Sequence, residues 1–158
     1  MKKRISYLLA LLVLMLGSCK PSENIVFEEF QEVNASGWNW KEGKTFEFEI
    51  TDDQHYYTLL TGLRVTTQYS YSNIWLMYSI KSGKEERKDQ FQMVLSDNVG
   101  KWLGDGVGNL ISFQQPFLQN IKFKKGKYRI EFNQNMRDEN LEAVNNIGFQ
   151  IVKGPLIL

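Results

Sequence analysis

The sequence predicts an all-β fold, an antiparallel two-sheet sandwich with a jelly-roll-like arrangement, placed after an N-terminal signal peptide. Apolar residues recur at every second position in several runs, turn residues separate those runs, and helical periodicity is nearly absent. These runs correspond to about six to nine short strands. So many strands need two packed sheets, because a single sheet would leave its apolar face in water.

The clearest alternation lies in residues 45–50, where Phe46, Phe48 and Ile50 fall on one face and Glu47 and Glu49 on the other. This is the pattern of a strand with one face in the core and one in solvent. Further strands are predicted over residues 25–30, 57–65, 91–95, 128–132 and 147–151.

Two segments deviate from simple alternation. Residues 73–80 are apolar on both faces, which predicts a mid-sheet strand covered on both sides, with Trp75 in the core. Residues 136–144 place Met136, Leu141 and Val144 on a plausible helical face. We expect a short helix there, with a long connection between two strands as the alternative.

The first 18 residues have the pattern of a signal peptide. Lys2, Lys3 and Arg4 precede an apolar run over residues 5–16, which is too short to span a hydrocarbon layer of roughly 30 Å. Small residues then precede Cys19, as in the bacterial lipobox. We therefore predict cleavage before Cys19 and attachment of lipid to its thiol.

Lipidation also accounts for the single cysteine, which has no disulfide partner within the chain. The alternative is an ordinary secretory cleavage site followed by a spare cysteine. Under the lipoprotein interpretation, residues 1–18 are the signal peptide, 19–24 a lipidated tether and 25–158 a single β-sandwich domain. The tether would connect the domain to a membrane through the lipid on Cys19. Because Lys20 rather than an aspartate follows Cys19, we expect the outer membrane, with the leaflet left open.

Charge argues against a nucleic-acid partner. Loss of the three N-terminal basic residues leaves 16 basic against 18 acidic residues, a net charge of −2, whereas nucleic-acid binding needs clustered positive charge. We therefore expect no nucleic-acid partner.

Catalytic and metal chemistry find little support in the sequence. His55 is the only histidine, no Gly-x-Ser-x-Gly motif occurs, and we interpret His55 as a solvated loop residue. We expect no enzyme activity, no cofactor and no metal site. Two alternatives stay open: a hydrolase built from scattered carboxylates and His55, and a structural calcium ion held by Asp97, Asn98 and Asp105.

Aromatic side chains in or near loops are the candidate binding residues. They are Trp38, Trp40, Tyr69, Tyr71 and Trp102. Such rings stack on sugars or anchor a protein partner, so a surface carbohydrate-binding lipoprotein is the alternative function. A structural alternative is that these rings plug the open ends of the sandwich.

Two blocks carry a family resemblance. Residues 69–76 read Tyr-Ser-Tyr-Ser-Asn-Ile-Trp-Leu, and residues 100–106 read Gly-Lys-Trp-Leu-Gly-Asp-Gly. In this order, behind a lipobox, they resemble the gliding motility lipoprotein GldH family. The resemblance implies an outer-envelope lipoprotein without enzyme activity, an accessory or scaffold in the apparatus for gliding and type IX secretion. Its implied partners are envelope proteins of that apparatus.

Overall fold

The computed structural model describes residues 24–157, which form antiparallel strands joined by turns and loops. In chain order the strands are β1 (Ile25–Glu32), β2 (Trp38–Asn39), β3 (Lys44–Ile50), β4 (His55–Thr66), β5 (Asn73–Ser82), β6 (Glu85–Val94), β7 (Asp105–Val107), β8 (Leu110–Lys122), β9 (Gly126–Gln134), β10 (Asn140–Leu141) and β11 (Val144–Leu156). The predicted signal peptide and Cys19 lie outside the described residues.

The strands form two main sheets. One has the order β1-β11-β4-β8-β7 and the other β3-β9-β5-β6, while β10 and β2 form a small separate pair. The first and last long strands, β1 and β11, are neighbours, and the long strands between them are divided between the two sheets in the order of a jelly roll. The predicted all-β, jelly-roll-like sandwich is confirmed.

Strand β3 shows why the alternating sequence gives this architecture. Phe46, Phe48 and Ile50 are buried and point to the other sheet, whereas Glu47 and Glu49 are exposed. Phe149 of β11 faces them from the opposite sheet, with its ring centre 5.8 Å from that of Phe46 and 5.4 Å from that of Phe48. The aromatic core therefore lies between the two sheets.

The predicted helix over residues 136–144 is wrong. Residues 24–157 contain no helix, and this stretch is an irregular segment followed by β10, a turn and the start of β11. Leu141 and Val144 do reach the core, but from β10 and β11 rather than from one helical face. None of the described residues forms a helix that could cross a membrane.

Strand β5 lies between β9 and β6, as its apolar sequence predicts. Its inward residues Ile74, Leu76 and Tyr78 are buried. The other face is open to solvent, so the expectation that both faces are covered is wrong, as is the core position of Trp75. The reason is that the sandwich has two layers, and only one face of each sheet meets the other.

Candidate functional site

Two of the five candidate rings are part of the core. Trp38 is fully buried and its indole N–H donates to the carbonyl oxygen of Glu42 at 2.8 Å. Tyr69 is also buried, its hydroxyl donates to the carbonyl oxygen of Asn73 at 3.1 Å, and burial raises its pKa. These two rings are therefore core residues and are not available to an external ligand.

Trp102 is partly buried beside β8. It forms an isolated bridge with Ser96, and its ring centre lies 6.3 Å from that of Phe113. Leu103 and Gly104 follow it and lead into β7, at the edge of the five-stranded sheet.

Trp40 and Tyr71 are exposed, with 46% and 36% of their surface accessible, and both are attached to the same loop. The backbone N–H of Trp40 donates to the carbonyl oxygen of Glu139 at 3.0 Å. The Tyr71 hydroxyl donates to Asp138 Oδ2 at 2.5 Å, and this hydrogen bond raises the pKa of Tyr71. The loop over residues 135–139 therefore connects two candidate rings that are distant in sequence.

The same loop contacts Trp75, which was not among the candidate binding residues. The Trp75 backbone N–H donates to Met136 Sδ at 3.2 Å, and the Asn135 N–H donates to the Trp75 carbonyl oxygen at 2.8 Å. Trp75 is 38% exposed and Met77, two residues along the same face of β5, is 42% exposed. We call Trp40, Tyr71, Trp75 and Met77 the aromatic patch.

Amide side chains surround the aromatic patch. Asn133 and Gln90 flank Met77 on the neighbouring strands β9 and β6. The Asn133 amide donates to the Trp40 carbonyl oxygen at 3.2 Å, and the Asn135 amide donates to Gln90 Oε1 at 2.7 Å. Because β9 and β6 lie on opposite sides of β5, the Asn135–Gln90 hydrogen bond crosses β5 on the exposed face. The patch thus combines apolar surface with positioned uncharged donors and acceptors.

A single buried side chain holds the loop in place. Gln134 donates from its amide to the carbonyl oxygens of Trp38 at 3.3 Å and Asp138 at 2.8 Å, and its Oε1 accepts from the Met136 N–H at 2.8 Å. A cleft of about 250 Å³ lies beside it, between Trp40 and residues 134–139. Gln134 therefore couples the core residue Trp38 to the exposed patch.

We expect Gln134→Ala to lower the free energy of unfolding by about 1–3 kcal/mol, the usual cost of leaving buried polar groups without partners. Urea denaturation followed by circular dichroism would measure this change. Gln119→Ala, at an exposed position on β8, is the matched control and should change stability by no more than about 0.5 kcal/mol. Equal stability of the two variants would show that Gln134 does not hold the loop.

The opposite end of this exposed sheet face is charged. Glu47, Arg129, Lys81 and Glu86 form one row across β3, β9, β5 and β6. Glu86 accepts a hydrogen bond from the Ser79 hydroxyl at 2.8 Å and lies 3.2 Å from the ammonium groups of Lys88 and Lys81; these contacts lower the pKa of Glu86 to about 2. A groove of about 510 Å³ at this end is lined by charges of both signs, from Glu47, Glu49, Lys81, Lys127 and Arg129.

His55 does not lie in a solvated loop, as the sequence interpretation placed it. It opens β4, is partly buried, and its Nδ1 lies 2.7 Å from Asp52 Oδ2. Asp52 also accepts the Gln54 N–H and lies 3.8 Å from the Lys153 ammonium group, and these contacts lower the pKa of Asp52. Asp52 therefore links the β3–β4 turn to His55 at the start of β4 and to Lys153 on β11.

The calcium alternative involves a loop that uses its carboxylate internally. Asp97 Oδ1 accepts the backbone N–H groups of Val99 at 3.0 Å and Lys101 at 2.8 Å. Between residues 24 and 157 there is no group of three or more His, Cys, Asp or Glu side chains placed to hold a metal ion.

The described residues thus form a jelly-roll sandwich module whose candidate site is an exposed patch of rings and amides. The family model described as GldH lipoprotein matches residues 25–151, and this chain belongs to that family. The chain is 28% identical over 151 residues to "Gliding motility lipoprotein GldH homolog" of Christiangramia forsetii, covering 89% of this chain and 90% of the relative. It is 27% identical over 159 residues to "Gliding motility lipoprotein GldH" of Flavobacterium johnsoniae, covering 96% and 98%.

The similarity of this chain to solved structures is weaker than its similarity to these two relatives. The VP2 subviral particle of infectious bursal disease virus has a TM-score of 0.30 at 15% identity, over 85% of this chain and 34% of that one. A score at this level carries no functional argument.

Proposed function

We propose that this chain is an outer-membrane lipoprotein that serves as a non-enzymatic accessory or scaffold component of the gliding motility apparatus. The observation that carries the proposal is membership of the GldH lipoprotein family over residues 25–151. The names of the two relatives, which cover most of the chain, add support.

The N-terminal sequence supports the anchored part of the proposal. Cys19 follows Leu16, Gly17 and Ser18, and Lys20 follows it, a combination that favours the outer membrane. Strand β1 begins at Ile25, so only residues 20–24 separate it from Cys19. Such a tether extends at most about 20 Å, given about 3.3–3.6 Å per residue. The sandwich would therefore stay close to the membrane surface.

The surroundings of the charged groups support a non-catalytic role. A general acid or base works best when its pKa lies near the operating pH. Between residues 24 and 157, the carboxyl groups with shifted pKa values are Asp52, Asp53 and Glu86. Their pKa values are lowered, because hydrogen bonds and neighbouring cations stabilise the charged form. These groups hold loops and strand surfaces, and the aromatic patch is better suited to binding than to proton transfer.

A scaffold role requires protein partners in the envelope. The family resemblance points to components of the gliding apparatus and of the associated type IX secretion system.

Deletion of the gene in the source bacterium tests the proposal. We expect smaller, non-spreading colonies and reduced export of secreted cargo, because the apparatus would lack an anchored component. Colony spreading and the extracellular proteome are the measurements, and the wild-type gene on a plasmid should restore both. A Val107→Ala copy, altered at an exposed position on β7, is the matched control and should restore them equally. Unchanged spreading and unchanged export in the deletion strain would contradict the proposal.

A further inference from the structure

The exposed face of the four-stranded sheet divides into a charged end and an uncharged end. Glu47, Arg129, Lys81 and Glu86 occupy the row at the charged end. Two rows further along β5, the row contains Asn133, Met77 and Gln90, and the next pairs Trp75 with Gln92. The sheet positions around Trp75 and Met77 therefore carry amides and apolar groups in place of charges.

The side chains at the uncharged end are held by a paired strand and an anchored loop, yet they remain exposed. Trp75 and Met77 lie on a paired mid-sheet strand, and the loop over residues 135–139 is fastened by Gln134 beneath it. Trp40 adds a second exposed ring, although the Lys41 ammonium group lies 5.2 Å from its ring centre and covers one of its faces. Trp75 is thus the principal flat apolar surface.

The amides at this end retain capacity for a ligand. A side-chain amide has two N–H donors and an oxygen with two lone pairs. The Asn135–Gln90 hydrogen bond uses one donor of Asn135 and one lone pair of Gln90. That bond fixes both groups in orientation while their remaining donors and acceptors can face outward.

We propose that the aromatic patch binds an uncharged oligosaccharide. Sugar rings have an apolar C–H face that stacks on an indole, and their hydroxyls both donate and accept hydrogen bonds, as amides do. Trp75 supplies the stacking surface, and Gln90 and Asn135 hold the hydroxyls beside it. This binding activity is additional to the proposed role in gliding and does not depend on it.

Charge and polarity select this ligand over others. An acidic polysaccharide would favour clustered cations, yet the sheet positions next to Trp75 are neutral. The adjoining loop carries one cation, Arg137, and two carboxylates, Asp138 and Glu139, and Asp138 accepts a hydrogen bond from the Tyr71 hydroxyl. Any ligand that buried the patch would have to satisfy its amides, since an unpaired buried amide is costly. A hydroxyl-rich ligand meets this requirement readily, because each hydroxyl both donates and accepts hydrogen bonds.

Calorimetric titration of the full-length lipoprotein in detergent tests the proposal, with cellohexaose, xylohexaose and mannohexaose as probes and hexagalacturonate as the acidic comparison. We expect at least one neutral hexasaccharide to bind, and hexagalacturonate to bind more weakly. Trp75→Ala should weaken the binding by about tenfold or more, equivalent to about 1.4 kcal/mol. Leu103→Ala, an exposed apolar side chain on the loop before β7, is the control and should leave affinity unchanged.

A second variant guards against local unfolding in Trp75→Ala. Met77→Lys keeps Trp75 and introduces a charge into the uncharged end, and we expect a similar loss of affinity with an unchanged circular dichroism spectrum. Absence of binding to all three neutral probes would overturn the proposal. Oligosaccharide binding that neither Trp75→Ala nor Met77→Lys weakens would also overturn the proposal. Cross-linking of an envelope protein to the patch without any oligosaccharide binding would also overturn it and would identify a protein site. Normal spreading by a Trp75→Ala strain would leave the carbohydrate result unaffected, so the two proposals fail independently.

Discussion

Phe149→Ala should lower the free energy of unfolding by about 3–5 kcal/mol, the range observed for removing a large buried aromatic side chain. Phe149 is buried on β11, and its ring centre lies 5.4–6.4 Å from those of five other phenylalanines. The five are Phe27, Phe46, Phe48, Phe117 and Phe132. Because these rings come from both sheets, the substitution would open a cavity at the centre of the sandwich.

Urea denaturation followed by tryptophan fluorescence would measure the effect. Phe149→Leu fills part of the cavity and should lose less stability than Phe149→Ala. Val99→Ala, which removes apolar atoms from a strongly exposed position, is the surface control and should change stability by no more than about 0.5 kcal/mol. A loss below about 1 kcal/mol for Phe149→Ala would show that the rings repack and that Phe149 is not the centre of the core.

The strands that could be predicted are those with one buried and one exposed face. In β3 and β9 the apolar residues alternate with polar ones, and the burial of the side chains follows the same period. Two-layer packing fixes this relation, because a shift of one residue would turn the apolar set to solvent. The sequence therefore carries the register of these strands directly.

Strand β8 could not be predicted in the same way because its alternation is interrupted. Pro116 lies within it opposite Leu60, and the register against β4 shifts between Leu59 and Leu60 and again between Tyr57 and Leu59. Each bulge reverses which residues face inward. Leu118 and Ile121 are thereby both placed against the core, opposite Leu59 and Tyr57, although simple alternation would put them on opposite faces. Because of Pro116 and the two register shifts, the sequence of β8 lacks the regular alternation that would identify it as one long strand.

The candidate site was only partly predictable for a related reason. Loop position in the sequence says little about exposure, and Trp38 and Tyr69 are buried because the chain folds over the end of the sandwich. The apolar neighbours of Trp75 predict a core position, although its alternation with Ile74 and Leu76 places it on the opposite face. The meeting of Trp40, Tyr71 and Trp75 at one loop depends on tertiary contacts of residues 134–139, which the sequence does not reveal.

Cys19→Ala should remove the protein from the outer-membrane fraction, because the thiol that would carry the lipid is absent. Each buried methylene contributes about 0.8 kcal/mol, and one acyl chain alone gives only reversible binding of about 10⁴ M⁻¹, so stable anchoring needs more than one chain. The loss should therefore be nearly complete. Fractionation after a high-salt wash and intact mass spectrometry of the purified protein would measure it.

The matched control for this prediction is Ser18→Ala, which keeps a small residue before the cysteine and should leave the protein acylated and membrane-bound. The two changes lie ahead of β1, so neither should alter the circular dichroism spectrum of the sandwich. If Cys19→Ala stayed in the outer-membrane fraction, or if the wild-type protein carried no lipid mass on Cys19, the anchor would have to be elsewhere. The short tether to β1 would then place no limit on the distance between the aromatic patch and the membrane.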